Sequence, residues 1–126
     1  MIVGLGTDLV AVARIAAAHL RHGQRFLDKV YDCAEVDYCL AAREPGERLA
    51  ARWAAKEACM KALGTGWARG VSFAQIALLP DPDGGAPRLR LTGAALTRAH
   101  ALGADRWWCS VSHSDGFAVA TVILER

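Results

Sequence analysis

Hydrophobic positions along the 126-residue chain change period several times, and each change marks an element. Met1 to Thr7 is short, apolar and punctuated by glycine, the pattern of a buried strand, with Asp8 at its end. From Val10 to about His22 the period becomes helical, with Val12, Ile15 and Leu20 predicted to point inward and a stop near Gly23. A second helical piece covers roughly Arg25 to Val30, and Asp32 can cap a third running to about Ala42. The segment Glu44-Pro45-Gly46-Glu47 interrupts the pattern, and a long helix follows from Glu47 to Leu63, closed by Gly64. Val71 to Leu79 reads as a strand, residues 80–85 as a loop, and Arg88 to Leu91 as the half-buried partner of a hairpin. A helix opens at Thr92 or Gly93 and ends at Leu102. Trp107–Val111 and Phe117–Leu124 are then two strands joined by a turn through Ser114-Asp115-Gly116. No repeat, low-complexity tract or linker divides the chain, so residues 1–126 are expected to form one domain.

Composition adds little to that outline; the distribution of charge adds more. Hydrophobic residues make up 53% of the chain and the net charge is only +2, which does not by itself call for nucleic acid. Arg14, Arg21, Arg25 and Lys29, with His19 and His22, nevertheless face a single acid, Asp28, and such an excess suits an acidic partner surface. The four cysteines show no CxxC pair and no zinc-finger spacing. Without a basic, apolar leader or a run of about 18 apolar residues, the expectation is a cytoplasmic protein with reduced thiols and no membrane contact.

Arg52-Trp53-Ala54-Ala55-Lys56-Glu57-Ala58-Cys59-Met60-Lys61 carries the densest chemistry. At about 3.6 residues per turn, Trp53, Glu57 and Lys61 share one helical face, and Arg52 and Lys56 lie beside them. A carboxylate flanked by cations on a rigid helix can hold a divalent metal together with a polyphosphate. The same Glu57–Lys61 spacing also describes an ordinary solvent-face ion pair contributing about 0.3 kcal/mol. Asp8, just past a strand, is either an N-cap or a second metal carboxylate. Paired with Glu57 it matches Mg²⁺, which takes one or two protein carboxylates and fills its shell with phosphate oxygens and water. Ser112-His113-Ser114-Asp115 falls at a strand-end turn, suited to a phosphate contact or to a plain polar turn. No Gly-x-Ser-x-Gly elbow supports a serine nucleophile there. Gly64-Thr65-Gly66 lacks a P-loop lysine and reads first as a helix stop.

Taken together, Gly4-Leu5-Gly6-Thr7-Asp8 with Arg14, Arg52 to Ala58 with Lys61, Gly64-Thr65-Gly66, and Ser110-Val111-Ser112-His113 resemble the holo-[acyl-carrier-protein] synthases. These are the small bacterial class of 4′-phosphopantetheinyl transferases. The likeness runs from Met1 to Arg126, and Trp108 departs from it, standing where relatives often carry histidine. The resemblance implies an α+β fold, a curved antiparallel sheet wrapped around the long helix. It also implies a homotrimer with active sites between subunits. It implies transfer of 4′-phosphopantetheine from coenzyme A to a serine of acyl carrier protein, releasing adenosine 3′,5′-bisphosphate, in the service of fatty acid biosynthesis.

On that reading Asp8 and Glu57 hold Mg²⁺, and Lys61 stabilises the leaving phosphate by charge or by proton donation. Glu57 accepts the serine proton, directly or through water. Arg52, Lys56 and His113 contact the phosphates of the adenosine end, with Gly64, Thr65 and Pro87 lining the nucleotide. Arg14, Arg21 and Arg25, with Phe26 as apolar anchor, dock the acidic carrier protein. Two rival classes fit less of the chain. A basic nucleic-acid-binding module gives Asp8 and Glu57 no role, and a scaffold needs no metal.

Overall fold

The computed structural model describes Met1–Arg126 in full. Its elements are β1 (Ile2–Ala11), α1 (Val12–His22), α2 (Gln24–Val30), α3 (Cys33–Leu40), α4 (Gly46–Leu63), β2 (Ile76–Leu79), β3 (Arg88–Leu91), α5 (Gly93–Ala101), β4 (Arg106–Ser114) and β5 (Phe117–Glu125). The class is α+β. α4 is buried along most of its length because small and apolar side chains, such as Leu49, Ala54, Ala58 and Leu63, occupy almost its whole circumference. Gly64 ends it in the left-handed conformation at φ 72°, and the Thr65 N–H returns to the Met60 carbonyl.

All strand pairing is antiparallel, but the strands divide into two sheets where one was expected. β5 lies between β1 and β4, and β2 pairs only with β3. The division begins at Ser72. Its side chain and that of Gln75 cap each other's backbone around a 3-10 turn over Phe73–Gln75, which shortens the predicted Val71–Leu79 strand to four residues.

The three-stranded sheet approaches α4 at backbone distance, and glycine permits it. A Cβ on Gly6 would stand 1.9 Å from the Ala58 carbonyl oxygen, and one on Gly4 2.5 Å from that of Ala62. Further along the sheet, Ala118 and Ala120 of β5, opposite Val10 and Asp8, are buried. Small residues on strand and helix together bring the two backbones close, which aligns β1 with the second half of α4.

Other expectations need correction. β1 is ten residues long and buried on one face only, because Leu5 and Leu9 point away from α4. Asp8 lies inside β1, opposite Ala120, and Ala11 takes the N-cap position of α1. In α1, Ile15 is buried but Leu20 is exposed, since it falls beyond the end of the stripe that meets α4. Ser112 and His113 belong to β4 itself, with the turn at Asp115 and Gly116. Asp32 caps α3 as predicted, in a reciprocal box with Glu35. No helix is long and apolar enough to cross a membrane.

Candidate active site

Strand alternation points Gly6, Asp8 and Val10 of β1 toward α4. With no side chain at Gly6, Asp8 comes down beside the turn of α4 that carries Glu57 and Lys61. Lys61 Nζ donates to Asp8 Oδ1 at 3.2 Å and to the Thr7 carbonyl at 2.9 Å. Partial burial pushes the Glu57 carboxyl above the usual carboxylate range, and the negative charge of Asp8 pushes the same way. Lys61 and Arg14 pull against both. The Lys61 ammonium pairs with Asp8 alone, and Glu57 stands near enough to feel the Asp8 charge, a repulsion that a divalent cation would relieve. No three His, Cys, Asp or Glu side chains converge anywhere in the chain, so a metal here would rest on two carboxylates. That donor set fits Mg²⁺, which draws its remaining ligands from phosphate and water.

A second group forms a cavity of about 620 Å³ at the other end of α4, where Arg52, His113 and the Pro87 loop meet. Arg52 is 5% exposed, and its Nε is the one buried side-chain polar atom in the chain without a hydrogen-bond partner. Arg52 borders this cavity, and a guanidinium with no carboxylate partner can meet an anion there. Its guanidinium carbon lies 4.5 Å from the Tyr38 ring centroid, and that of Arg48, one turn earlier, lies 4.1 Å from it. His113 Nδ1 lies 2.8 Å from Glu47 Oε2 at the edge of the same cavity. Sequence reasoning passed over Tyr38, Glu47 and Arg48. Arg48 alone left a signal, standing four residues before Arg52.

Lys56 is in neither group. Its ammonium is fully buried and donates to Glu35 Oε1 at 2.6 Å, to the Phe73 carbonyl at 3.0 Å and to the Ile76 carbonyl. Glu35 also accepts from the backbone of Asp32 and Leu78. Every proton on that nitrogen is committed inside the core, so the expected phosphate contact by Lys56 is corrected to a structural tie between α3, α4 and β2. Gly64 and Thr65 lie about 18 Å along the helix axis from Arg52. They adjoin Lys61, and the structure does not bring them to the cavity that contains Pro87 and His113. Arg14, Arg21 and Arg25 are exposed on α1 and α2. Phe26 is half-buried, stacked on Trp53 at 6.1 Å, and Arg14 lies 5.6 Å over the same indole. None of the four cysteines is paired, and burial pushes the Cys59 and Cys109 thiols up to about 12, leaving them poor nucleophiles.

Asp8 and Glu57 beside Lys61, a separate cavity at Arg52 and no activated cysteine are the chemical features of the chain. Residues 4–122 match the model of the 4′-phosphopantetheinyl transferase superfamily. The chain is 47% identical over 125 residues to holo-[acyl-carrier-protein] synthase of Koribacter versatilis and 49% identical over 125 residues to that of Solidesulfovibrio magneticus, with 99% of each chain covered. Its fold superposes on the crystal structure of the Neisseria meningitidis synthase with a TM-score of 0.88, at 34% identity and full coverage of both chains. The Helicobacter pylori synthase, solved in complex with coenzyme A, gives 0.82 at 30% identity, covering 96% of this chain and 99% of the other. The chain belongs to the 4′-phosphopantetheinyl transferase superfamily and, within it, to the holo-[acyl-carrier-protein] synthase family of enzymes.

Proposed function

We propose that this enzyme moves 4′-phosphopantetheine from coenzyme A to a serine hydroxyl of apo acyl carrier protein, with Mg²⁺, in the cytoplasm and for fatty acid biosynthesis. The observation that carries the reading is the cluster of Asp8, Glu57 and Lys61, held together by the glycine-permitted contact of β1 with α4. Asp8 and Glu57 would hold the ion, which supplies neutralisation of pyrophosphate charge. The serine oxygen forms a bond to the phosphorus that bears pantetheine, and the bond from that phosphorus to the adenosine side breaks. Adenosine 3′,5′-bisphosphate leaves. Glu57, its carboxyl pushed upward, takes the serine proton directly or through water. Lys61 meets the charge growing on the leaving phosphate, by charge or by donating a proton. Arg52 and His113 seat the phosphate at the adenosine end, and the Pro87 loop borders it.

Arg52 and Glu57 are five residues apart and so about 140° apart around α4. One chain cannot turn both toward one ligand without a long detour. A second copy bringing its Arg52 cavity against the first copy's acids resolves this, which is the reading of a homotrimer with sites between subunits. In support, the outer face of the three-stranded sheet is apolar, with Leu5 63% and Leu9 64% exposed beside Phe117 and Val119. Carrier protein would dock on Arg14, Arg21 and Arg25, with Phe26 and Trp53 as its apolar floor. Trp53 precedes Glu57 by one turn, so a carrier bound there reaches the acids.

Calorimetric titration of coenzyme A with and without Mg²⁺ tests the reading. Metal-enhanced binding, lost in Asp8→Ala, is the expected result. Binding indifferent to both the metal and Asp8 would contradict it.

A further inference from the structure

Coenzyme A carries two separate anionic groups, a pyrophosphate and a terminal phosphomonoester on the ribose. Asp8, Glu57 and Lys61 suit the first. The second is a compact dianion with three oxygens, and one guanidinium cannot satisfy it. The cavity at Arg52 holds two.

Arg48 and Arg52 are one turn apart on α4, so they project side by side. Two cations so placed repel each other, and something must hold them. Tyr38, from α3, does so: its ring lies within 4.1 Å of one guanidinium carbon and 4.5 Å of the other, and its backbone carbonyl accepts from Arg48 Nη1 at 2.7 Å. Neither guanidinium is in an ion pair. Of the three acids bordering the cavity, Asp81 pairs with Arg88, Glu47 with His113, and Glu44 forms no ion pair with either arginine. Arg52 also keeps its buried, unpartnered Nε. The side chains are therefore ordered before any ligand arrives, and their charges are unspent.

We propose that Tyr38 is a positioning residue that holds Arg48 and Arg52 as a paired clamp for a phosphomonoester, and that Arg48 sets the preference for coenzyme A over dephospho-coenzyme A. The inference rests on the function proposed above and names which part of the co-substrate this cavity reads. Arg48 contributes the second pair of donors. Tyr38 contributes its ring face, and its hydroxyl has no part in the clamp.

The test is steady-state transfer to apo acyl carrier protein from coenzyme A and from dephospho-coenzyme A, with the full-length wild type, Arg48→Gln, Tyr38→Leu and Tyr38→Phe. One charge-assisted hydrogen bond is worth about tenfold in binding. The wild type should favour coenzyme A. Arg48→Gln and Tyr38→Leu should each shrink that preference on the order of tenfold, through KM for coenzyme A, while Tyr38→Phe retains it. A variant that merely folds less well lowers transfer from both donors together and leaves the ratio intact. An unchanged ratio in Arg48→Gln and Tyr38→Leu overturns the proposal, as does a Tyr38→Phe variant as impaired as Tyr38→Leu. If the wild type transfers from neither donor, the proposed function itself fails and this inference with it. If it transfers from both with no preference, only the clamp is refuted.

Discussion

Replacing Lys56 with methionine separates a structural lysine from a substrate-binding one. The side chain keeps its length and loses its charge, so the core is not emptied. What remains is Glu35, fully buried, still accepting from two backbone amides but deprived of its only cation. The Phe73 and Ile76 carbonyls lose their shared donor as well. Breaking a buried pair from one side costs about 3–5 kcal/mol, mostly as the penalty on the charge left behind. Domains of this size have roughly 5–15 kcal/mol in total. Lys56→Met should therefore lose roughly a fifth or more of the stability, visible as a lower urea midpoint with little change in slope. The companion variant Glu35→Leu/Lys56→Met removes both charges and should recover much of the loss. Equilibrium urea unfolding of the wild type, both single variants and the double variant gives the coupling directly. The variant that remains folded should keep its KM for coenzyme A within about twofold, because a tie of this kind makes no ground-state contact with the ligand. A Lys56→Met protein as stable as wild type, with a tenfold higher KM, would refute this assignment and restore Lys56 to the phosphates.

Gly6→Ala places a methyl group 1.9 Å from the Ala58 carbonyl, so β1 must move away from α4 by about 1 Å or more. Overpacking of this kind costs roughly 1–3 kcal/mol, and displacing Asp8 from Lys61 should cut turnover on the order of a hundredfold; melting and kinetics read both. Glu57 has a carboxyl raised in the folded state, so the folded protein binds more protons than the unfolded one just above the usual carboxylate value, and stability falls as pH rises through that window. Glu57→Gln should abolish that fall and melt higher than wild type at neutral pH; a lower melt would contradict the repulsion with Asp8. Lys61→Ala should lower kcat and leave KM for coenzyme A nearly unchanged, whereas Arg52→Ala should raise KM, and identical profiles would show that the two cations do not act at different stages. Affinity for acyl carrier protein should fall as salt rises and fall less steeply in Arg21→Glu, since the Debye length contracts from about 10 Å at 0.1 M to 3 Å at 1 M; affinity indifferent to salt would leave the basic helices a solvated face.

The helical periods and their punctuation were legible in the sequence because they depend on neighbours a few residues apart. Asp32 announced α3 and Gly64 announced the end of α4. The division of strands into two sheets was not legible, because it turns on Ser72 and Gln75 closing a 3-10 turn in a segment whose composition reads as strand. At the site, Asp8, Glu57 and Lys61 were legible as carriers of metal and phosphate chemistry. Their meeting depends on two glycines and two alanines whose role is only to be small. Lys56 misled for an equally physical reason: spacing places it beside Glu57, but rotation about the helix sends it inward, where Glu35 waits from another element. Arg48 and Tyr38 could not be paired by spacing, since they lie on different helices and meet only through packing.

The intact mass of apo acyl carrier protein, followed after incubation with this enzyme, coenzyme A and Mg²⁺, tests the central claim most directly. The account predicts a gain of one 4′-phosphopantetheine group on a single serine, with adenosine 3′,5′-bisphosphate formed in equal amount, and no gain with Asp8→Ala or after chelation of the metal. A carrier that a known transferase modifies but this folded enzyme leaves at its apo mass would contradict it, as would full modification by Asp8→Ala.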